Sequence, residues 1–289
     1  MRQRLISAAV LVPVVVILFV LGPPWLTLGI ALLAAVVAYE TAELVRAAGL
    51  PASRWLPVIW APLAVVGLAW FFGPGGLEFG WALVGPMIAA LLIASAFLAF
   101  RVADPADGFG AWIGTLFAAL YPGMLAFAAA FIGLSPAFQD GVLLGNRLDS
   151  GRIWLLILVG TVWALDSTAY VVGRLYGRGR FMNHISPKKT WTGALGGTIA
   201  AVAVCTLLFA LSGQSQVGGA LLGLVIAIAA QAGDLAESML KRAAGVKDSG
   251  RLIPGHGGFL DRVDSFLFAT PAMYGSLAVL GVLRAAGVI

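Results

Sequence analysis

Residues 193–211 read G-A-L-G-G-T-I-A-A-V-A-V-C-T-L-L-F-A-L, nineteen positions without one charged side chain. Polar and apolar residues do not alternate along the run, so it does not fit a barrel strand, whose two faces meet lipid and lumen in turn. Its length suits the roughly 20 residues a helix needs to cross a bilayer, and a helix satisfies its own backbone there. Comparable runs lie on both sides: Leu5–Leu21, Trp25–Tyr39, Leu56–Phe72, Gly80–Phe100, Trp112–Ile132, Ile153–Val172, Val217–Ala232 and Phe266–Leu283. Proline and glycine punctuate the joints, as in Gly22-Pro23-Pro24, Gly73-Pro74-Gly75-Gly76 and Ser135-Pro136. The fold class this implies is all-α, a polytopic integral membrane protein with about nine transmembrane helices.

Composition points the same way. Hydrophobic residues make up 61% of the 289 and charged residues 11%, and mean hydropathy is +0.98. A soluble domain carries roughly a quarter charged residues, so a water-facing surface could not be assembled from this chain. Cys205 is the sole cysteine, which excludes an intramolecular disulfide. The opening Met1-Arg2-Gln3-Arg4 and apolar run resemble a signal peptide. No small-residue cleavage site follows, however, and Pro23-Pro24 leads into another apolar run, so a retained first span is expected.

Basic residues set the orientation. With the amino terminus cytoplasmic, 15 of the 18 Lys and Arg fall on the cytoplasmic side, and only Arg147, Arg152 and Arg284 on the other. The net charge of +5 then reflects topology and does not call for nucleic acid. Residues 1–152 are expected to be scaffold helices facing lipid. Residues 153–289 are expected to be the catalytic region, with cytoplasmic loops at 173–191 and 233–265.

Those two loops carry the chemistry. From Gln231 the chain reads Q-A-G-D-L-A-E-S-M-L-K-R, placing Asp234, Glu237, Ser238, Lys241 and Arg242 at i, i+3, i+4, i+7 and i+8, on one helical face. Asp261, Asp264 and Ser265 repeat the i, i+3, i+4 spacing. Between the two sets, Pro254-Gly255-His256-Gly257-Gly258 is a turn that lets backbone approach a ligand closely. Carboxylates suit a magnesium ion that completes its shell with phosphate oxygens, and Lys and Arg neutralise the remaining phosphate charge. The plainer alternative is a solvated loop with incidental i, i+4 ion pairs. The other loop holds Ile185-Ser186-Pro187-Lys188-Lys189-Thr190-Trp191 after Arg174, Arg178 and Arg180; its cations suit phosphate oxygens or, as an anchor, anionic headgroups. Asp166 lies inside the sixth apolar run, where a carboxylate is costly and functional by default. Its expected partner is a metal or a loop cation, with structural pairing to Arg174 as the alternative. His184 and His256 are the only histidines, too few with one cysteine for a zinc site.

Ser238-x-x-Lys241-Arg242-x4-Lys247-Asp248, followed by Pro254-x-His256-Gly257-Gly258-x-x-Asp261-Arg262-x-Asp264, resembles the signature of phosphatidate cytidylyltransferases, also called CDP-diacylglycerol synthases. Gln231-x-Gly233-Asp234-Leu235-x-Glu237-Ser238, Asp166-x-x-Ala169-Tyr170-x-x-Gly173-Arg174 and Ser186-Pro187-Lys188-Lys189-Thr190-Trp191 resemble the same family. The motifs cover roughly residues 153–265. The resemblance implies transfer of a cytidylyl group from CTP to phosphatidic acid at the cytoplasmic face of the cell (inner) membrane, with magnesium, alone or beside a second cation, as cofactor. It also implies a homodimer. Carried over by motif, Asp234 and Asp261 are the expected metal ligands, with Asp166 and Asp264 next, and Asp234, Asp261, Lys241 and Arg242 are the expected catalytic set. Ser186, Lys188, Lys189, Thr190, Ser238, Lys247, His256 and Arg262 are expected at the substrates. One position departs from the family: Thr192 stands where an acid is usual. Glu40 and Glu43, at the cytoplasmic end of the second span, are the carboxylates available to substitute for it.

Two other functions are compatible with parts of the pattern. A CTP-dependent kinase or cytidylyltransferase for another membrane lipid would use similar chemistry. A transporter would use Asp166 as a coupling carboxylate, but would place its site near the midplane on broken helices, whereas these polar clusters sit at span ends.

Overall fold

The computed structural model describes residues 2–71, 77–133, 150–255 and 257–285. Among them are ten α-helices and no strand: α1 (Arg2–Leu21), α2 (Trp25–Ala47), α3 (Trp55–Phe71), α4 (Leu77–Ala99), α5 (Pro105–Gly123), α6 (Ala126–Gly133), α7 (Ser150–Tyr176), α8 (Trp191–Leu211), α9 (Gln216–Ala243) and α10 (Leu260–Ala285). By length and composition, six segments can cross a membrane: Trp25–Ala47, Pro105–Phe131, Gly151–Tyr176, Trp191–Leu211, Gln216–Ala243 and Leu260–Leu280. Shorter apolar helices cover Ala9–Leu21, Trp55–Trp70 and Val84–Ala99. The chain is an all-α, multi-pass membrane protein.

Helix ends differ from the hydropathy reading in an informative way. α7 continues to Tyr176, so Arg174 occupies its last turn instead of a loop. α9 continues to Ala243 and α10 begins at Leu260, which leaves only residues 244–259 as loop. Polar residues at a span end escape an average over apolar windows, yet the helical hydrogen bonds run on through them. The run expected as one span at Trp112–Ile132 breaks after Pro122-Gly123 into α5 and α6. There the N–H groups of Met124 and Leu125 donate to Tyr121 and Pro122 carbonyls, three residues back.

The chain forms two compact units, Met1–Gly133 with Leu240–Val263, and Leu134–Met239 with Asp264–Ile289. In the first, α2 packs on α3, α5 and α6 through small residues. Ala42 and Val45 meet Ala52 and Ala118, and Thr41 Oγ1 satisfies its buried hydroxyl by donating to the Val37 carbonyl at 2.8 Å. Asp104 caps α5, accepting the N–H groups of Ala106 and Asp107, with Pro105 at the first helical position.

In the second unit, α8 buries a stripe four residues apart, Gly193, Gly197, Ala201 and Cys205, and α9 answers with Gly219, Gly223 and Ala227. A Cβ on Gly197 would lie 2.8 Å from the Leu165 carbonyl of α7, and one on Gly223 would lie 2.9 Å from Val202 Cα. The large side chains of α8, Leu195, Ile199, Leu207 and Leu211, point outward. Lipid tails are as apolar as leucine, so burying leucine between helices gains little, and close packing of small residues does the joining.

Candidate active site

Within the second unit, three helices and one loop enclose a cavity of about 490 Å³. α7 contributes Asp166, Tyr170, Gly173 and Arg174, α9 contributes Gln231 and Asp234, and the loop before α8 contributes Lys188, Lys189 and Thr190. The loop is shaped by its own backbone. Phe181 N–H donates to the Lys189 carbonyl and Trp191 N–H to that of Gly179, each at 3.0 Å, while Phe181 packs edge-on against Trp191. Ser186 serves the turn, its carbonyl accepting the Lys189 N–H at 3.2 Å. Thr190 caps α8 by accepting the Gly193 N–H, and this fixes where Lys188 and Lys189 leave the chain. Lys188, Thr190, Arg174, Arg178 and Arg180 also line an open groove on this loop.

Lys189 Nζ meets Asp234 Oδ2 at 2.6 Å, with both side chains partly accessible. Asp166 is close enough to feel the charges of Asp234 and Lys189. The guanidinium of Arg174 donates to the Tyr170 hydroxyl at 3.1 Å, so the loop cation Lys189, not Arg174, is the charge beside Asp166. Gln231 is held by donating to Thr198 Oγ1 at 2.9 Å.

Thr192, the departure from the motif, joins the end of α7 to the start of α8. Its hydroxyl accepts the Arg178 N–H at 3.0 Å and donates to the Tyr176 carbonyl at 3.1 Å. A carboxylate could do the first but not the second. Glu40 and Glu43, the carboxylates available to substitute for the missing acid, both have partners within the first unit. Glu43 takes Arg54 at 2.6 and 3.2 Å, an interaction that raises the guanidinium pKa above its ordinary value. Glu40 turns inward.

A second polar cluster lies in the first unit. Lys241 Nζ donates to Asp261 Oδ1 at 2.6 Å, the side chains being 12% and 7% exposed. Asp261 Oδ2 accepts three more donors, the Ser249 and Gly258 N–H groups and the Ser249 hydroxyl, each at 2.9 Å. The chain reverses through a short bridge between Ile253 and Gly257, with Gly255 at φ +77° and Gly257 at φ +85°. Those angles favour glycine, and a Cβ at 257 would sit 2.6 Å from Asp261 Oδ2. Arg242 donates to the Val246 carbonyl at 3.0 Å. Lys247 and Arg262 are exposed, and Ser238 and Asp264 are half-buried. His256 lies outside the described residues.

Among the described residues no group of three or more His, Cys, Asp or Glu is arranged to hold a metal. Magnesium typically needs only one or two carboxylates when phosphate supplies other ligands. Asp166 and Asp234, which line one cavity with two lysines, have the chemistry for it, whereas both oxygens of Asp261 already accept protein donors.

The cytidylyltransferase family pattern matches residues 2–280. This chain belongs to the cytidylyltransferase family. The phosphatidate cytidylyltransferase of Synechocystis sp. is 33% identical over 285 residues, 94% of each chain. The phosphatidate cytidylyltransferase of Brucella abortus is 43% identical over 158 residues, 53% of this cytidylyltransferase-family chain and 56% of its own. That of Bacillus subtilis is 39% identical over 160 residues, 54% and 58% of the two. Sequence reasoning found the residues of both clusters by motif; it did not find Ser249, or the contacts of Glu40 described below.

Proposed function

We propose that this chain is a phosphatidate cytidylyltransferase, converting CTP and phosphatidic acid to CDP-diacylglycerol and pyrophosphate. The observation that carries the reading is the match over 94% of both chains to the Synechocystis enzyme of that name. The phosphate of phosphatidic acid is already an anion, so its attack on the α-phosphate of CTP needs little proton abstraction. What the reaction needs is alignment of two polyanions and neutralisation of their charge. Lys188, Lys189 and Thr190 on the capped loop are suited to phosphate oxygens. An entering triphosphate competes with Asp234 for Lys189, so binding exchanges an internal ion pair for an external one. Lys241, held by Asp261, is a further phosphate-neutralising cation, with Arg242, Lys247 and Arg262 as surface cations. Asp166 and Asp234 are the pair suited to magnesium, which when bound offsets phosphate charge and polarises the phosphoryl group.

The test uses purified protein with phosphatidic acid, magnesium and CTP labelled in turn at the α- or γ-phosphate. Label from the α position is expected in the lipid phase. Label from the γ position would make the protein a lipid kinase, and no lipid label from either would overturn the reading.

The distribution of basic residues supports nine spans with the site facing the cytoplasm. A reporter inserted near Gly179 is expected to be cytoplasmic and one at the carboxyl terminus extracytoplasmic. Both on one side would refute the nine-span topology.

Thr192→Glu keeps an acceptor for the Arg178 N–H and loses the donation to Tyr176. One lost hydrogen bond is worth about 1 kcal/mol, so the apparent affinities for CTP and magnesium are expected to change by less than about tenfold. Steady-state titration of both ligands on the two proteins checks this; complete inactivation would mean that the loop packs differently from the family pattern and would withdraw the assignment of Lys188 and Lys189 to the substrate.

A further inference from the structure

Glu40 stands two turns before the carboxyl end of α2, far in sequence from every motif above, and is 2% exposed. Its Oε1 accepts the Phe259 N–H at 3.1 Å and its Oε2 the Leu260 N–H at 2.8 Å, so it caps the start of α10 from 219 and 220 residues away. Caps usually come from the adjoining residue. The Ser249 hydroxyl lies 3.3 Å from Glu40 Oε2 and 2.9 Å from Asp261 Oδ2, and has one proton to share between them. It also accepts the Asp261 N–H at 3.3 Å. Two glycines make room for the carboxylate: a Cβ on Gly250 would lie 2.6 Å from Glu40 Oε1, and one on Gly258 would collide with Ser249 Oγ and Glu40 Oε2. The second glycine of the His256-Gly257-Gly258 turn therefore serves Glu40 and Ser249, not only a ligand.

We infer that Glu40 is a positioning residue for the reaction, acting through Ser249 and the first turn of α10 to hold Asp261 and thereby Lys241 in place. The inference rests on the function proposed above. Glu40 lines neither the cavity nor the groove described above and meets Asp261 through Ser249 and the first turn of α10, so it is assigned to geometry and not to substrate affinity. A glutamine there presents an amide donor where the native side chain has a second acceptor, and one of its hydrogen bonds must be given up.

The experiment compares the full-length protein with Glu40→Gln, Ser249→Ala and the double variant, in lipid vesicles, normalised to folded protein. In Glu40→Gln, kcat is expected to fall by about 30-fold or more, with KM for CTP and for phosphatidic acid within about threefold of the parent. The double variant is expected to be no more than about threefold slower than the slower single variant, because both act on one chain of contacts. Hydrogen exchange of the 258–262 peptide is expected to speed up by about tenfold or more in Glu40→Gln, whatever the protein's substrate proves to be. Unchanged exchange overturns the clamp itself. Faster exchange with parental kcat, a rise in KM alone, or multiplicative losses in the double variant overturn the positioning role. Faster exchange in a protein whose parent transfers no cytidylyl group would leave the clamp standing and remove the proposed reaction.

Discussion

Asp234→Asn is expected to lower cytidylyl transfer by about 10³-fold, roughly 4 kcal/mol in the barrier, in a protein that still inserts and folds. Asparagine keeps the shape of the side chain and removes the charge that holds Lys189 at 2.6 Å and faces Asp166 across the cavity. Lys189 then loses its 2.6 Å ion-pair partner and keeps only the more distant Asp166, and the cavity has one carboxylate instead of two for a divalent ion. The exposure of both partners keeps the structural cost small, since a partly solvated ion pair contributes little to stability. The measurement is initial rate at saturating lipid across a magnesium titration, beside a thermal melt. A folded Asp234→Asn protein with parental activity at limiting magnesium would remove Asp234 from the site.

The other large effect is on stability. Asp261→Ala leaves the Lys241 ammonium without its 2.6 Å partner and strips the acceptor from two N–H groups and a hydroxyl. Removing one member of a buried pair costs about 3–5 kcal/mol, because the charge left behind has lost its solvent as well as its partner. A melting-temperature drop in detergent or lipid should report it. Lys241→Met in the same background should recover part of the loss, since it removes the charge that Asp261 balanced, while the Ser249 and Gly258 N–H groups still lack their acceptor and the Ser249 hydroxyl can turn to Glu40. A melt unchanged by Asp261→Ala would mean that the cluster is open to water and that its contacts carry little.

The helices were legible in the sequence because burial in lipid demands long apolar runs, and residues 193–211 could hardly be read otherwise. The face of Asp234, Ser238 and Lys241 was legible for a similar reason, since i, i+4, i+7 spacing survives at a helix end whatever surrounds it. Helix ends were less so: Arg174 and Asp234 look like loop residues to a hydropathy average, yet lie on α7 and α9. Glu40 was beyond reach. Its partners are about two hundred residues downstream, and nothing local separates it from Glu43, which goes outward to Arg54. A carboxylate placed within an apolar helix was the one available signal, and it marks a residue as consequential without saying what it touches.

The glycine seams of α8 and α9 have a bearing on how this protein can fail. Asp166 follows Leu165, whose carbonyl lies against Gly197, and Asp234 follows Gly233, which has no room for a Cβ beside the Asp264 carbonyl. Backbone touching backbone leaves no side chain to absorb an error, so the distance between the cavity's two carboxylates is a dimension machined by methyl-sized tolerances. An alanine or valine acquired at such a seam alters no charge and meets no substrate, and would pass on a list of variants as conservative. Its effect would still be felt at the cavity, as a tool loses calibration when a shim is slipped into its jaw.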